Sequence, residues 1–249
     1  MPQCPMAHPD GVPPLRDHQV VAQNLPEHAR NPIHTDEGAR AAGFDRALVA
    51  GVTTYSYLAN VPSRDWGIEW VHHGTAEVRF RRPIFDGERL AIQAVGDAHT
   101  LAVTTTTDDD PRVLCSMSLA GTPAVELRDG EELPTIEREL EGEYGGDYAA
   151  RAGDSLPLFA IGEIVHPAVW PALANDMVHR HVARGSWVHT RSIVRHHAPV
   201  ATGSLASIIA RVVDRRNGSL GERAVLDVHI TVEGVVVASL EHEAYVALR

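Results

Sequence analysis

Apolar residues at Val52, Tyr55, Leu58 and Ala59 fall at the spacing of one helix face, and the pattern over 52–61 predicts a short, mostly buried helix that Pro62 ends. Strand-like runs follow near 71–81, 89–95, 101–107 and 113–119, with Asp86-Gly87 and Asp110-Pro111 as turn signals between them. A second helical stretch, 168–182, precedes strand-like runs near 187–196, 205–213, 224–232 and 235–247. The pairs Asn217-Gly218 and Glu233-Gly234 suit tight antiparallel connections there. A helix followed by sequential antiparallel strands, occurring twice, predicts an α+β protein with a helix packed on one face of a curled sheet in each half. Strand and helix do not alternate, which argues against a doubly wound nucleotide-binding sheet.

Between 128 and 155 the chain turns acidic, glycine-bearing and unpatterned (Arg128-Asp129-Gly130-Glu131-Glu132, then Glu141-Gly142-Glu143-Tyr144-Gly145-Gly146-Asp147), the composition of a surface connection. The predicted organisation is an N-terminal repeat at 1–127, an acidic linker at 128–155 and a C-terminal repeat at 156–249. Two echoes point to duplication. Trp70-Val71-His72 returns as Trp187-Val188-His189, an offset of 117 (187 − 70), and Pro83 to Gly87 returns as Pro199 to Gly203, an offset of 116 (199 − 83).

With 249 residues, 44% of them hydrophobic and 22% charged, the chain sits in the globular range and is long enough for one large domain or two small ones. A net charge of −11 makes phosphate backbones poor partners. No apolar run approaches the ~18 residues of a membrane span. Met1-Pro2-Gln3-Cys4-Pro5 carries no secretory pattern, so the expected location is the cytoplasm. The two cysteines, Cys4 and Cys115, are far apart and are expected to stay reduced.

Most of the chemistry lies in Asn31-Pro32-Ile33-His34-Thr35-Asp36-Glu37-Gly38-Ala39, followed by Gly43-Phe44 and by Ala50-Gly51-Val52 where the apolar helix starts. The stretch resembles the MaoC-like (R)-specific enoyl-CoA hydratases of the hot-dog fold. Their signature reads glycine, aspartate, any residue, asparagine, proline, aliphatic, histidine, then an alanine. Asn31, Pro32, Ile33 and His34 stand in register, with Ala39 at the later alanine. Taken with the internal repeat, the resemblance implies a double hot-dog over most of the chain, although its sharply matching part is only 31–52. His28 and Ala29 stand where the signature has glycine and aspartate, so the carboxylate that helps activate water in the family is missing.

Hydration of an enoyl thioester needs a group to handle a water proton, a group to protonate carbon, and donors for the charge building on the thioester oxygen. The resemblance implies His34 as acid/base, with Asn31 beside it and Asp36 as the nearest carboxylate. Backbone N–H groups at Gly51 and Val52 would meet the thioester oxygen, and Tyr55 is a candidate substrate contact. Each has a structural alternative. Asp36 suits a helix N-cap, Asn31 a turn, Gly51 a helix opening and Tyr55 the core. Arg79, Arg81 and Arg82 suit coenzyme A phosphates or, alternatively, a solvated strand end.

Of the 15 histidines, the clusters His72-His73, His179-x-His181 and His196-His197 have spacings that do not converge on one ion, so no metal site is expected. The echo puts His72 and His189 at equivalent strand positions, where one of them is a candidate to face the cleft and a structural histidine is the alternative.

The expected function is that of a MaoC-like hydratase/dehydratase, a lyase acting on an acyl thioester or a polyketide-like intermediate. No cofactor is expected; the substrate itself would arrive as a CoA or carrier-protein thioester. The expected partners are a small-molecule acyl substrate and a second copy in a homodimer, with neither nucleic acid nor membrane. The alternatives are a thioesterase or other hot-dog enzyme of altered chemistry, and a non-catalytic acyl- or small-ligand-binding protein, which Ala29 favours. The second half lacks an Asn-Pro-aliphatic-His run and is expected to shape the acyl tunnel.

Overall fold

The computed structural model describes residues 11–96 and 99–249. Cys4 lies outside them, and Cys115 is a buried free thiol. Strand β1 (His18–Val21) leads through 3₁₀ turns at Pro26–Arg30 and Pro32–His34 into helices α1 (Asp36–Ala41), α2 (Gly51–Asp65) and α3 (Ile68–His73). Strands β2 (Thr75–Phe80), β3 (Arg89–Val95), β4 (Thr100–Thr104) and β5 (Val113–Ser118) follow. The second half opens with β6 (Glu131–Glu132) and β7 (Ile136–Glu139), then short helices α4 (Asp147–Arg151) and α5 (Pro157–Ala160). Helix α6 (Val169–Met177), a π turn at Val178–Val182, and strands β8 (Val188–His196), β9 (Leu205–Gly218), β10 (Gly221–Val232) and β11 (Val235–Leu248) complete it.

One antiparallel sheet runs in the order β1-β3-β4-β5-β2-β8-β11-β10-β9-β6, with β7 also paired to β9. Read inward from either end, each half presents its strands in the same order, and the halves meet where β2 pairs β8 from Thr75–Arg195 to Arg79–Arg191. The duplication shows in the backbone itself. The bridge Leu48–Phe85 recurs 116 residues on as Ile164–Ala201. The bond from Val49 N–H to the Ile84 carbonyl recurs as Val165 to Val200. Gly87 and Gly203 hold the matching turns at φ 77° and 81°, in the left-handed region where a Cβ is penalised.

Two buried helices fill the concave face. From Val52 to Ser63 every residue of α2 is buried, and α6 is buried at all but Asn175. A helix buried on all sides needs sheet and neighbouring chain around it, and the buried Thr53, Thr54, Ser56, Asn60 and Ser63 of α2 are small or medium polar side chains. This is the α+β arrangement predicted, one helix and one curled sheet per half, joined edge to edge.

Four local expectations are corrected. The acidic stretch 128–155 is not a simple linker, because Glu131 and Glu132 and the run Ile136–Glu139 pair with β9 and supply the outer strands of the second repeat. Glu131 and Glu132 are both exposed and Ile136 is the one buried residue of Ile136–Glu139, which hides these strands among surface charges. The Trp-Val-His echo joins unlike elements. Trp70 and His72 lie on α3, which ends where Gly74 packs against the Trp70 indole so closely that a Cβ would overlap it, whereas His189 lies on β8. Pro62 does not end α2, which runs to Asp65 because the ion pairs of Asp65 with Arg16 and Arg64 and the bond from Trp66 Nε1 to the Pro13 carbonyl (2.7 Å) secure its last turn. The β9–β10 turn falls at Ser219-Leu220, with Asn217 and Gly218 still paired in β9.

Leu140, just after β7, is fully buried and exchanges backbone bonds with the Gly203–Ser204 turn. Leu140→Ala is expected to lower the unfolding free energy in urea by about 2–5 kcal/mol. A change under about 0.5 kcal/mol, as for a surface substitution, would return this segment to the status of a linker.

Candidate active site

The 3₁₀ turn carrying His34 is tied to the other repeat before it reaches α1. Asn31 Oδ1 caps the turn by accepting from Ile33 N–H and also faces Trp187 N–H, both at 3.4 Å, while its Nδ2 donates to the Trp187 carbonyl at 2.9 Å. Arg30 pairs at 2.6 Å with Asp176, a buried carboxylate of α6 that also receives Arg138 and the Tyr144 hydroxyl. Glu27 pairs with Arg151. Asn31 is therefore buried with its amide engaged, and it fixes the loop while also lining the cleft.

His34 Nδ1 donates to the Leu48 carbonyl at 2.8 Å, which makes Nε2 the basic nitrogen of the neutral ring. Burial pulls its pKa down to about 4, so the ring is neutral near pH 7. His28, at the signature's glycine position, packs 5.8 Å from His34 with its Nε2 on Thr53 Oγ1 at 3.0 Å. Burial, with His34 next, brings the His28 pKa to about 3. Ala29, by contrast, is exposed. Among the described residues no carboxylate pairs with His34.

A cavity of about 720 Å³ spans the junction of the repeats, with Asn31, His34 and Gly51 on one side and Trp187 and His189 on the other. Gly51 opens α2, whose N-cap Ala50 supplies no capping side chain, so the first-turn amides and the positive end of the helix dipole are available to an oxygen. A Cβ at Gly51 would lie 2.9 Å from His189 Nδ1, which explains the glycine by close approach. Asn175, Trp187 and His189 line the same cavity, and each holds a buried polar atom (Oδ1, Nε1 and Nδ1) with no partner among the described residues.

The remaining expectations fall as follows. Val52 is buried behind the cavity wall, its carbonyl receiving the Tyr148 hydroxyl at 3.3 Å. Tyr55 is fully buried in the core and does not line the cavity. Asp36 is exposed, accepts from Ala47 N–H at 2.9 Å and pairs with Arg40, outside the cavity; the side chain capping α1 is Thr35. At the rim, Arg79 pairs with Glu77 and Arg82 with Asp108, and Arg81 carries no ion pair among the described residues. The carboxylate in the cavity wall is Glu243, held by Thr190, Arg216 and Arg223. Of the two echoed histidines, His189 faces the cavity and His72 does not. The described residues hold no cluster of metal-ligating side chains, and no helix among them is long and apolar enough to cross a membrane.

No family model matches the chain, and no curated protein matches it in sequence. Solved structures do match. A protein described as a MaoC-like dehydratase superposes with a TM-score of 0.62 at 16% identity, over 92% of this chain and 97% of its own. A conserved hypothetical protein of Mycobacterium tuberculosis with a double hotdog fold gives 0.64 at 11%, over 95% and 97%. The chain has the double hot-dog fold. A putative oleoyl thioesterase from Lactobacillus plantarum shares it at 0.54 and 11%, over 94% and 97%. The double hot-dog frame explains why the cleft lies where it does, between the two central helices at the seam.

Three buried histidines, His28, His189 and His196, and the half-buried His34 have pKa values lowered to about 3 or 4, desolvation being the largest cause in each. Unfolded, they titrate near 6.5. Between pH 6.5 and about 4 the unfolded chain therefore binds protons that the folded chain refuses, and stability present above pH 6.5 is lost as the pH falls. Proton uptake on unfolding is expected to approach four near about pH 5 from these residues, read from the slope of unfolding free energy against pH. A stability that stays flat across that window contradicts the assignment of neutral, buried rings.

Proposed function

We propose that the chain is a hydratase/dehydratase of the MaoC-like kind acting on an acyl thioester, with His34 as its acid/base. The observation that carries this is the placement of His34, its Nδ1 anchored on Leu48 and its ring in the cavity wall shared with the open N-terminus of α2. In the hydration direction, His34 Nε2 takes a proton from water as the oxygen adds to C3 of the enoyl group. Charge passes through C2 to the thioester oxygen, where the Gly51 amide and the positive end of α2 stabilise it, and the imidazolium returns the proton to C2. One imidazole thus serves both proton steps, in keeping with the missing carboxylate at Ala29. Arg81 at the rim is suited to a phosphate of a coenzyme A or carrier-protein arm.

Hydrolysis of the thioester is the second reading, supported by the shared fold of the putative oleoyl thioesterase. A panel of trans-2-enoyl-CoA esters separates the two, since hydration removes the conjugated double bond and hydrolysis releases the CoA thiol. Loss of the double bond is expected with the wild type. His34→Ala is expected to slow it by roughly 10²–10⁴-fold with its thermal unfolding nearly unchanged. Thiol release without loss of the double bond supports the thioesterase. Tight binding with neither reaction supports the acyl-binding alternative.

A further inference from the structure

Opposite the α2 N-terminus, β8 and β11 bury a polar chain that the proposed hydration does not use. His189 Nε2 lies 2.8 Å from Ser192 Oγ, which lies 2.8 Å from His242 Nδ1, and the two imidazoles stack at 4.3 Å. All three residues are buried, with His189 6% exposed, and Phe80 closes the other face of His189 at 4.7 Å. His189 Nδ1 has no partner among the described residues and lies 2.9 Å from where a Cβ on Gly51 would stand. A buried ring nitrogen left unpaired costs roughly 1–3 kcal/mol, and here it faces a cavity and the positive end of a helix, where an electron-rich oxygen would satisfy it.

We propose that His189 is a second catalytic histidine, contributed by the second repeat, whose Nδ1–H donates to the substrate's thioester oxygen beside the Gly51 amide. This rests on the thioester reading above. Ser192 has one hydroxyl hydrogen for two imidazoles, so it donates to one and accepts from the other. With His242 Nδ1–H donating into Ser192 Oγ and the hydroxyl donating to His189 Nε2, the His189 proton sits on Nδ1, facing the cavity. The donor role of His189 requires this direction through Ser192, in which Ser192 and His242 are its positioning residues. Burial keeps both rings neutral, and at His242 the neighbouring His189 adds to the effect. A neutral imidazole polarises a carbonyl by hydrogen bonding and keeps its proton, so no bond to His189 forms or breaks.

The test uses cinnamoyl-CoA, whose conjugated absorption moves to longer wavelength when its carbonyl is polarised. The bound wild type is expected to show the shift, His34→Ala to keep it, and His189→Leu to lose it together with roughly 10²-fold in hydration rate. His189→Asn, whose amide N–H replaces Nδ1–H, is expected to keep part of the shift. Ser192→Ala, which frees the tautomer, is expected to weaken it. Circular dichroism reports folding, and if His189→Leu does not fold, the Asn and Ala variants carry the test. An unchanged shift in the folded His189 and Ser192 variants overturns the role of His189 and leaves the hydratase reading standing. A wild type that binds no cinnamoyl-CoA overturns both.

Discussion

The pairing of β2 with β8 is the constraint on which the rest of the structure depends. It turns two curled half-sheets into one and places the two buried helices side by side. It also sets the loop of the first repeat against β8 of the second, where Asn31 reaches both backbone groups of Trp187. Those contacts lie 156 residues apart in sequence, and only the seam brings them within hydrogen-bond distance. Buried ion pairs add direction to this contact more than net stability. Asp176, 1% exposed, receives Arg30 from one repeat and Arg138 from the other.

The seam also sets the environment of two histidines. Desolvation at the seam lowers the pKa of His34 and His189 and keeps both rings neutral, so that each nitrogen's role follows from what the other holds. The Leu48 carbonyl accepts from Nδ1–H of His34, and Ser192 engages Nε2 of His189. Between them lies the bare first turn of α2. In this arrangement the second repeat contributes polar groups to the site of the first.

How much of this the sequence discloses depends on how local each feature is. The 31–34 stretch located the loop in the cavity wall because its turn, its Asn cap and its histidine lie within four residues. The Pro83–Gly87 echo located the duplication because each copy closes a matching turn with a left-handed glycine. The Trp-Val-His echo matched letters across a helix and a strand, and drew attention to His189 for a reason the structure does not support. The strands at Glu131–Glu132 and Ile136–Glu139 looked like linker because their order comes from β9, about 75 residues downstream, while their own residues are charged and half solvated. Tyr55 looked like a substrate contact from its place on α2. Its full burial agrees instead with its place on the apolar face shared with Val52, Leu58 and Ala59, the core alternative.

The account stands most directly on His34 being a neutral base with its proton on Nδ1. Nitrogen-15 NMR of the imidazole at neutral pH separates the three possible states by the shifts of the two ring nitrogens. The prediction is a protonated Nδ1 and a bare Nε2 at neutral pH, with the ring becoming cationic only as the pH falls to about 4. A ring protonated on Nε2 at neutral pH, or one titrating at the ordinary value near 6.5, would contradict it.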